Sequence, residues 1–409
     1  MAAQTNTSAA LNHVRRFAVL GIIKARYYWF WADLSYGEYQ LIKRFSVLYV
    51  GQIDLEDIGA DGRDPDERRY TNEQLAQTYE HAMALAKQMD DSGYYCLWAA
   101  EHHFQREGYE CIPNLTLLGT HLAAHTKNLK FGAAFNIVPL WHPLRLAEDF
   151  ALGDILTGGR LIFGIGRGYQ TREVETFGSP LIDQDANREL FEEQVEIILK
   201  AFNEDSFSHH GKHYDIPPDV PYRGYQMKDI TLVPRPTHLP VEIWQPLVSA
   251  NPRGIDFMAK MGIKPLISGT PKSKIKERVD MYEEASAKYG RELTGGEDVA
   301  LGYRFFIAET KEKAIEQARP YFEEAMKFAA PLGLMAIKPD QVEAVANPMQ
   351  IQGTALPTLE EAVDAGIWLC GPPQLIIDYL KNVEEEFPGV ERVNVGAVMG
   401  MSRKVFKDQ

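Results

Sequence analysis

Two strings decide how this chain folds: Leu97-Trp98-Ala99-Ala100-Glu101-His102-His103-Phe104 and Gly164-Ile165-Gly166-Arg167-Gly168-Tyr169. Each opens on an apolar run of strand character. The first ends in ionisable residues, the second in a glycine-rich turn around one arginine. Between them lie a strand expected over 129–137, the turn Pro139-Leu140-Trp141-His142-Pro143-Leu144-Arg145, and a helix closed by Leu156-Thr157-Gly158-Gly159-Arg160. Strands separated by helices pair in parallel through right-handed crossovers. The chemistry is therefore loaded at the strand ends.

Outward from this segment the alternation continues. A strand is expected over 44–50 and a polar loop over 52–70. Thr71-Asn72-Glu73-Gln74 has the spacing of a capping box and starts a helix expected over 72–92. Strand 94–100 and helix 112–125 precede the strand at 129–137; helix 144–156 and strand 161–165 follow it. Downstream come helix 187–202, strand 241–245, a helix through Met261 opened by Ser249-Ala250-Asn251-Pro252, strand 263–268, helix 271–289, strand 299–308, helix 311–328, helix 372–387 and strand 392–398. Eight strands interleaved with helices predict an α/β fold, a (β/α)8 TIM barrel spanning 43–398 as a single domain with loop insertions at about 203–240 and 329–365. A doubly wound sheet fits less well, because no strand runs into G-x-G-x-x-G with an acidic residue about 20 positions on.

The 203–240 segment is proline-rich and is expected to hold one or two short hairpins. Its string His209-His210-Gly211-Lys212-His213-Tyr214 brackets a turn glycine rather than a helix face, so it reads as a turn and not as a metal site. Residues 1–42 form an N-terminal extension. Arg15-Arg16 followed by Phe17–Ile23 superficially matches an export signal, but Lys24 and Arg26 interrupt the apolar run. The aromatic run Tyr27-Tyr28-Trp29-Phe30-Trp31 is expected to cover part of the barrel or a partner subunit. Residues 399–409 are a C-terminal tail.

The composition narrows the function classes. The chain has 409 residues and a formal net charge of -14, which argues against a nucleic-acid binder. Nothing in it reaches the length of apolar sequence that a membrane span needs. Cys96, Cys111 and Cys370 form no C-x-x-C pair, removing the spacing evidence for zinc or a redox dithiol. A reducing, cytoplasmic compartment is expected.

In a (β/α)8 barrel the reactive groups gather at the C-terminal ends of the strands. Glu101 and His102 follow one strand, Ala134-Phe135-Asn136 close the next, Gly166-Arg167-Gly168 end a third, and Ser249, Ala250 and Asn251 follow a fourth. All should face one mouth. An imidazole titrating near neutrality suits His102 to proton transfer, while His103 reads as structural. Arg167 can grip two phosphate oxygens, with glycines allowing the backbone close to the ligand. The helix start after Ser249 offers free amides suited to a phosphate, with a plain cap as the competing account of Ser249.

The ordered run Glu101-His102-His103-Phe104, His142-Pro143 with Glu148-Asp149, Gly158-Gly159-Arg160, Phe163 to Gly168 and Phe177-Gly178 resembles the signature of the bacterial luciferase-like, flavin-dependent monooxygenases. The resemblance implies a catalytic His102 assisted by Glu101, and flavin held by Ala134, Phe135, Asn136, Gly166, Arg167, Gly168, Ser249, Ala250 and Asn251. It implies a cis peptide within Ala134-Phe135-Asn136. It also implies reduced FMN supplied by a separate flavin reductase, O2 as cosubstrate, a C4a-hydroperoxyflavin, a small organic substrate and a homodimer. Two rivals share the fold: a deazaflavin-dependent hydride-transfer oxidoreductase, and a non-catalytic flavin-binding barrel or partner subunit. The sequence departs from the light-emitting enzymes at Gly166, where they carry a reactive cysteine, and at Val248, where they carry an acidic residue. Aldehyde, alkane, terpenoid and sulfonate substrates stay open.

Overall fold

The computed structural model describes residues 42–332, 334 and 357–409. The readings made for residues 1–41, and most of the second insertion, lie outside the described residues. The strands are β1 Arg44–Tyr49, β2 Cys96–Ala99, β3 Lys130–Ala133, β4 Asn136–Ile137, β5 Leu161–Gly166, β6 His209–His210, β7 Asp215–Ile216, β8 Pro221–Tyr222, β9 Tyr225–Gln226, β10 Ile243–Pro246, β11 Lys264–Ser268, β12 Ala300–Ile307, β13 Trp368–Gly371 and β14 Arg392–Val395. The helices are α1 Asn72–Asp91, α2 Leu115–Ala123, α3 Pro143–Thr157, α4 Thr171–Val174, α5 Gln184–Asn203, α6 Pro252–Met261, α7 Lys272–Ala287, α8 Lys311–Ala329, α9 Leu359–Asp364, α10 Pro373–Glu386 and α11 Arg403–Asp408.

Eight parallel strands run in the order β1-β2-β3-β5-β10-β11-β12-β14, and β14 pairs back onto β1, so the sheet closes on itself as the (β/α)8 barrel that the alternation predicts. The barrel interior is filled by Cys96, Trp98, Ile162, Trp244, Leu266 and Ala300. Trp98 and Trp244 meet edge to face, with ring centroids 6.2 Å apart. Outside the wall, the apolar faces of α3, α5, α6, α7 and α10 build the largest core, with Phe150, Phe163, Phe191 and Phe202 buried in it. Thr71 and Gln74 close the expected capping box at the start of α1.

The structure differs from the sequence reading in several places, the unexpected short helix α4 among them. The expected strand 129–137 is two, β3 and β4, with a cis Ala134–Phe135 peptide between them. Strand β13 and helix α9 were not expected; β13 pairs with the upper half of β12, from Arg304 to Ile307. The C-terminal tail carries α11, fixed where the Arg403 amide donates to Asp54. The helix after β10 starts at Pro252, and its cap is Asn251, whose side chain accepts from the Gly254 amide at 3.1 Å. Ser249 stands outside the helix and is exposed.

The first insertion holds the hairpins β6–β7 and β8–β9. The histidine-rich turn is gathered by Glu193, which accepts from the amides of Lys212, His213 and Tyr214 and bonds the His209 ring. That is turn scaffolding of a kind a surface loop needs for its free amides.

Candidate active site

The ends of β2, β3, β5 and β10 bring most of the expected residues to one side of the barrel mouth. Glu101 is buried immediately after β2 and is fully engaged. It accepts from the Ile137 amide at 2.6 Å and the Trp141 indole at 2.9 Å, and pairs with His103 Nε2 at 3.1 Å. Burial raises its pKa, and the His103 bond and the Ile137 amide work against that rise. Glu101 thus ties the end of β2 to β4, and the imidazole it orients belongs to His103. It does not touch His102.

His102 is 5 % exposed and sits between carboxylates. Nδ1 faces Glu173 at 3.1 Å, and that carboxylate also accepts from the His103 amide at 2.9 Å. Nε2 faces the Tyr169 hydroxyl at 3.0 Å and Glu110 at 3.4 Å. Burial by itself lowers the imidazole pKa, but the Glu110 charge and the Glu173 hydrogen bond together outweigh it, so the pKa stands above the ordinary histidine value. Burial raises the pKa of Glu110, against the opposing charge of His102 and the Gln105 amide at 2.8 Å. Tyr169 is raised well above its usual value, first by burial and then by the Glu110 charge. Four titratable groups, His102, Glu110, Tyr169 and Glu173, thus meet along one chain of contacts.

Arg167 lies at the end of β5, braced by Asn187, which accepts from its Nη1 at 3.1 Å and donates to its carbonyl at 3.2 Å. Gly168 beside it has φ +80°, and a side chain there would meet Val174 and Ile137 within 3 Å. Burial, then the charges of Arg188 and Arg253, press the Arg167 pKa below the ordinary guanidinium value. Arg253, in the first turn of α6, is paired with Glu192 at 2.7 Å. Arg188 on α5 has no hydrogen bond or ion pair among the described residues, and its Nη1 would lie 3.3 Å from a Cβ at Gly254. Three guanidinium groups thus crowd the N-terminus of α6, with Glu192 paired to Arg253 and the charges of Glu189 and Asp185 also acting on it. Guanidinium groups gathered at a helix start are donors of the kind that suits an anion.

Between the two clusters, Ala134 and Phe135 flank the cis peptide. The Asn136 side-chain amide donates to Gly164 O at 2.8 Å. Gly164 leaves room for this approach: a Cβ there would fall 1.7 Å from Ala133 O. Gly166 packs against Phe135. Ser249 and Ala250 lie beside the α6 N-terminus, where the Ser249 hydroxyl has no hydrogen-bond partner among the described residues, and Asn251 caps the helix instead.

Sequence reasoning missed Glu110, Tyr169, Glu173, Asn187, Arg188 and Arg253. Glu110 comes from a loop and Glu173 from α4, a single turn too short to show a period, so no pattern marks them. Arg188 and Arg253 read as ordinary helix-surface charges until α5 and α6 are packed together.

The parallel barrel thus carries a buried histidine–carboxylate cluster beside three arginines at one side of its mouth. A model of the luciferase-like monooxygenases matches residues 61–388, and the chain belongs to that family. One relative, the uncharacterised protein y4vJ of Sinorhizobium fredii, is 31% identical over 37% of this chain and 42% of its own length. The oxygenase component of a flavin-dependent trigonelline monooxygenase from Acinetobacter baylyi is 26% identical over 58% of this chain and 62% of its own. The match thus spans less than two thirds of either relative. Among solved structures, the oxygenating constituent of 3,6-diketocamphane monooxygenase from Pseudomonas putida, in complex with FMN, superposes with TM-score 0.64 at 20% identity, covering 87% of this chain and 92% of that one. A coenzyme F420-dependent secondary alcohol dehydrogenase superposes with TM-score 0.59 at 13% identity, over 90% and 98%. No described helix is long and apolar enough to cross a membrane.

Proposed function

We propose that the protein is the oxygenase component of a two-component monooxygenase, which takes reduced FMN from a separate flavin reductase and uses O2 to oxygenate a small organic substrate. The observation that carries this reading is the Arg167, Arg188 and Arg253 cluster at the start of α6, where Arg188 has no ion pair among the described residues. A terminal phosphate fits it, because guanidinium forks and free helix amides are phosphate donors. When bound, reduced FMN supplies the electrons with which O2 is cleaved. In this reading Arg167, Arg188, Arg253, Ser249 and the amides of Ala250 and Asn251 hold the phosphate end. Ala134, Phe135, Asn136, Gly166 and Gly168 form the wall against which the ring lies. His102, whose pKa Glu110 and Glu173 hold above the ordinary histidine value, is the proton source, and Tyr169, partly exposed and bonded to Nε2, connects it to the mouth. Glu101 is then a positioning residue.

The deazaflavin reading is supported by the F420-dependent neighbour; it takes the same phosphate cradle but needs no proton source tuned for oxygen chemistry. The non-catalytic reading leaves a buried imidazole between two carboxylates without a purpose. We place the protein in the cytoplasm, which its three free cysteines support. It is proposed to act as a homodimer, since Leu117 on α2 and Leu152 and Leu156 on α3 are exposed apolar residues. Binding tests the central assignment: reduced FMN should bind at least about tenfold more tightly than riboflavin, and Arg167→Ala should cost at least about 1.5 kcal/mol of FMN affinity. Equal affinity for FMN and riboflavin would remove the phosphate assignment.

A further inference from the structure

Arg304 has no role in the site described above. It lies on β12, the strand opposite β3 in the eight-stranded ring. Ala300 belongs to the barrel-interior cluster with Trp98 and Trp244. Side chains alternate along a strand, so Gly302 and Arg304 face inward as well. The register agrees: Gly302 pairs with Ser268 and Asn394, and a Cβ at Gly302 would meet the Ser268 hydroxyl at 2.6 Å. Arg304 is therefore an inward-facing cation one step above this layer, at the C-terminal mouth.

Among the described residues its surroundings hold no counter-charge. Nε donates to Ala397 O at 3.2 Å, and the guanidinium carbon lies 6.0 Å from the Trp368 ring centre. Nη1 and Nη2 have no hydrogen-bond or carboxylate partner among the described residues. Gly269 lies close to Nη1: a Cβ built there would stand 3.9 Å from it. By contrast, the buried Arg68 pairs with Glu324 and the half-buried Arg392 with Glu242. Burial alone presses the Arg304 pKa down, with no neighbouring carboxylate to oppose it. Ser268, at the end of the neighbouring strand β11, is exposed, and its hydroxyl is also without a partner among the described residues. An arginine fork left open beside a free hydroxyl matches an oxyanion with two coplanar oxygens.

We infer that Arg304 and Ser268 form an anion subsite for the substrate, so that the substrate of this enzyme is an organic acid carrying a carboxylate or sulfonate. The inference rests on the proposed function in one respect: flavin placed against the ends of β2 to β10 leaves the β11, β12 and β14 side of the mouth to the substrate. One anion could come from elsewhere, the reduced flavin ring itself, and the test separates the two.

The test measures binding to the full-length protein, with reduced FMN present under anaerobic conditions, of a panel of four-carbon to eight-carbon alkyl and phenyl carboxylates and sulfonates. Each acid is set against the uncharged amide or alcohol of the same skeleton. Tryptophan fluorescence reports occupancy, since Trp368 lies against Arg304. At least one acid should bind the wild type about tenfold or more tightly than its uncharged partner. Arg304→Met should reduce that preference to below about twofold while leaving the uncharged partner and reduced FMN unaffected, and Arg304→Lys, which keeps charge without the fork, should fall between. Thermal unfolding of both variants checks the fold, and the lysine variant decides the matter if the methionine variant does not fold. No preference for any acid in the wild type, or a preference that survives both substitutions, overturns the subsite. Loss of reduced FMN affinity in Arg304→Met with acid preference intact assigns Arg304 to the flavin and overturns it too. Failure of the wild type to bind FMN, with acid selectivity dependent on Arg304, would instead sink the proposed function and leave the subsite standing.

Discussion

At the residue scale the site turns on what surrounds His102. A histidine whose folded pKa is raised contributes stability that is present in full below its unfolded pKa and is lost as pH rises through the folded value. The largest influence raising the His102 pKa is the Glu110 charge. Replacing Glu110 with Gln keeps the shape and the hydrogen bonds while removing that charge, so the His102 pKa should move down. The pH at which oxygenation fails on the alkaline side should move down with it. Histidine-selective NMR titration of wild type and Glu110→Gln measures the first effect directly; an unchanged or raised His102 pKa would show that Glu110 is itself neutral. His102 and Arg167 were legible because they sit in a recognisable run at strand ends. Glu110 and Glu173 were not, because a loop and the single turn of α4 deliver them without a period. The cap of α6 was legible in principle: proline belongs at the first helical position, so Pro252 makes Asn251 the cap and leaves Ser249 outside.

At the element scale the loop after β1 is held down by a buried cluster. Arg68, Tyr109 and Glu324 are all essentially without solvent exposure. Glu324 on α8 accepts from Arg68 and from the Tyr109 hydroxyl, and from the Gly59 amide at 3.1 Å. Arg68 donates in turn to Asp57 O and Arg63 O. One carboxylate thus fixes the loop after β1, the loop after β2 and helix α8 together beside the mouth. Glu324→Gln leaves an uncompensated guanidinium in the interior and should destabilise the fold by about 3–5 kcal/mol in urea unfolding, whereas Arg68→Met with Glu324→Leu should recover a large part of that loss. If the single variant costs under about 1 kcal/mol, the cluster is not what orders these loops. The missed strand β13 has an explanation at the same scale. β12 is twice as long as its partner β14, so its upper backbone groups need another partner, and Trp368–Gly371 supplies it. That deficit could have been read from the expected strand lengths. The short apolar run Trp368–Gly371 by itself could not.

At the scale of the whole molecule, the alternation of strands and helices was enough to predict the barrel, because parallel strands with helical crossovers leave few closed arrangements. What the sequence left unread is how loops far apart in the chain meet over the mouth. The central claim is that this mouth binds reduced FMN and steers its reaction with oxygen through the His102 cluster. Stopped-flow absorbance tests it most directly, with the protein loaded anaerobically with reduced FMN and mixed with oxygenated buffer. The account predicts an oxygen-dependent transient phase that precedes the return of oxidised flavin. His102→Ala should retain FMN binding, shorten that phase and lower substrate oxygenation by roughly a hundredfold. A single-phase return to oxidised FMN, at the rate of the free reduced flavin and unchanged by His102→Ala, would contradict it.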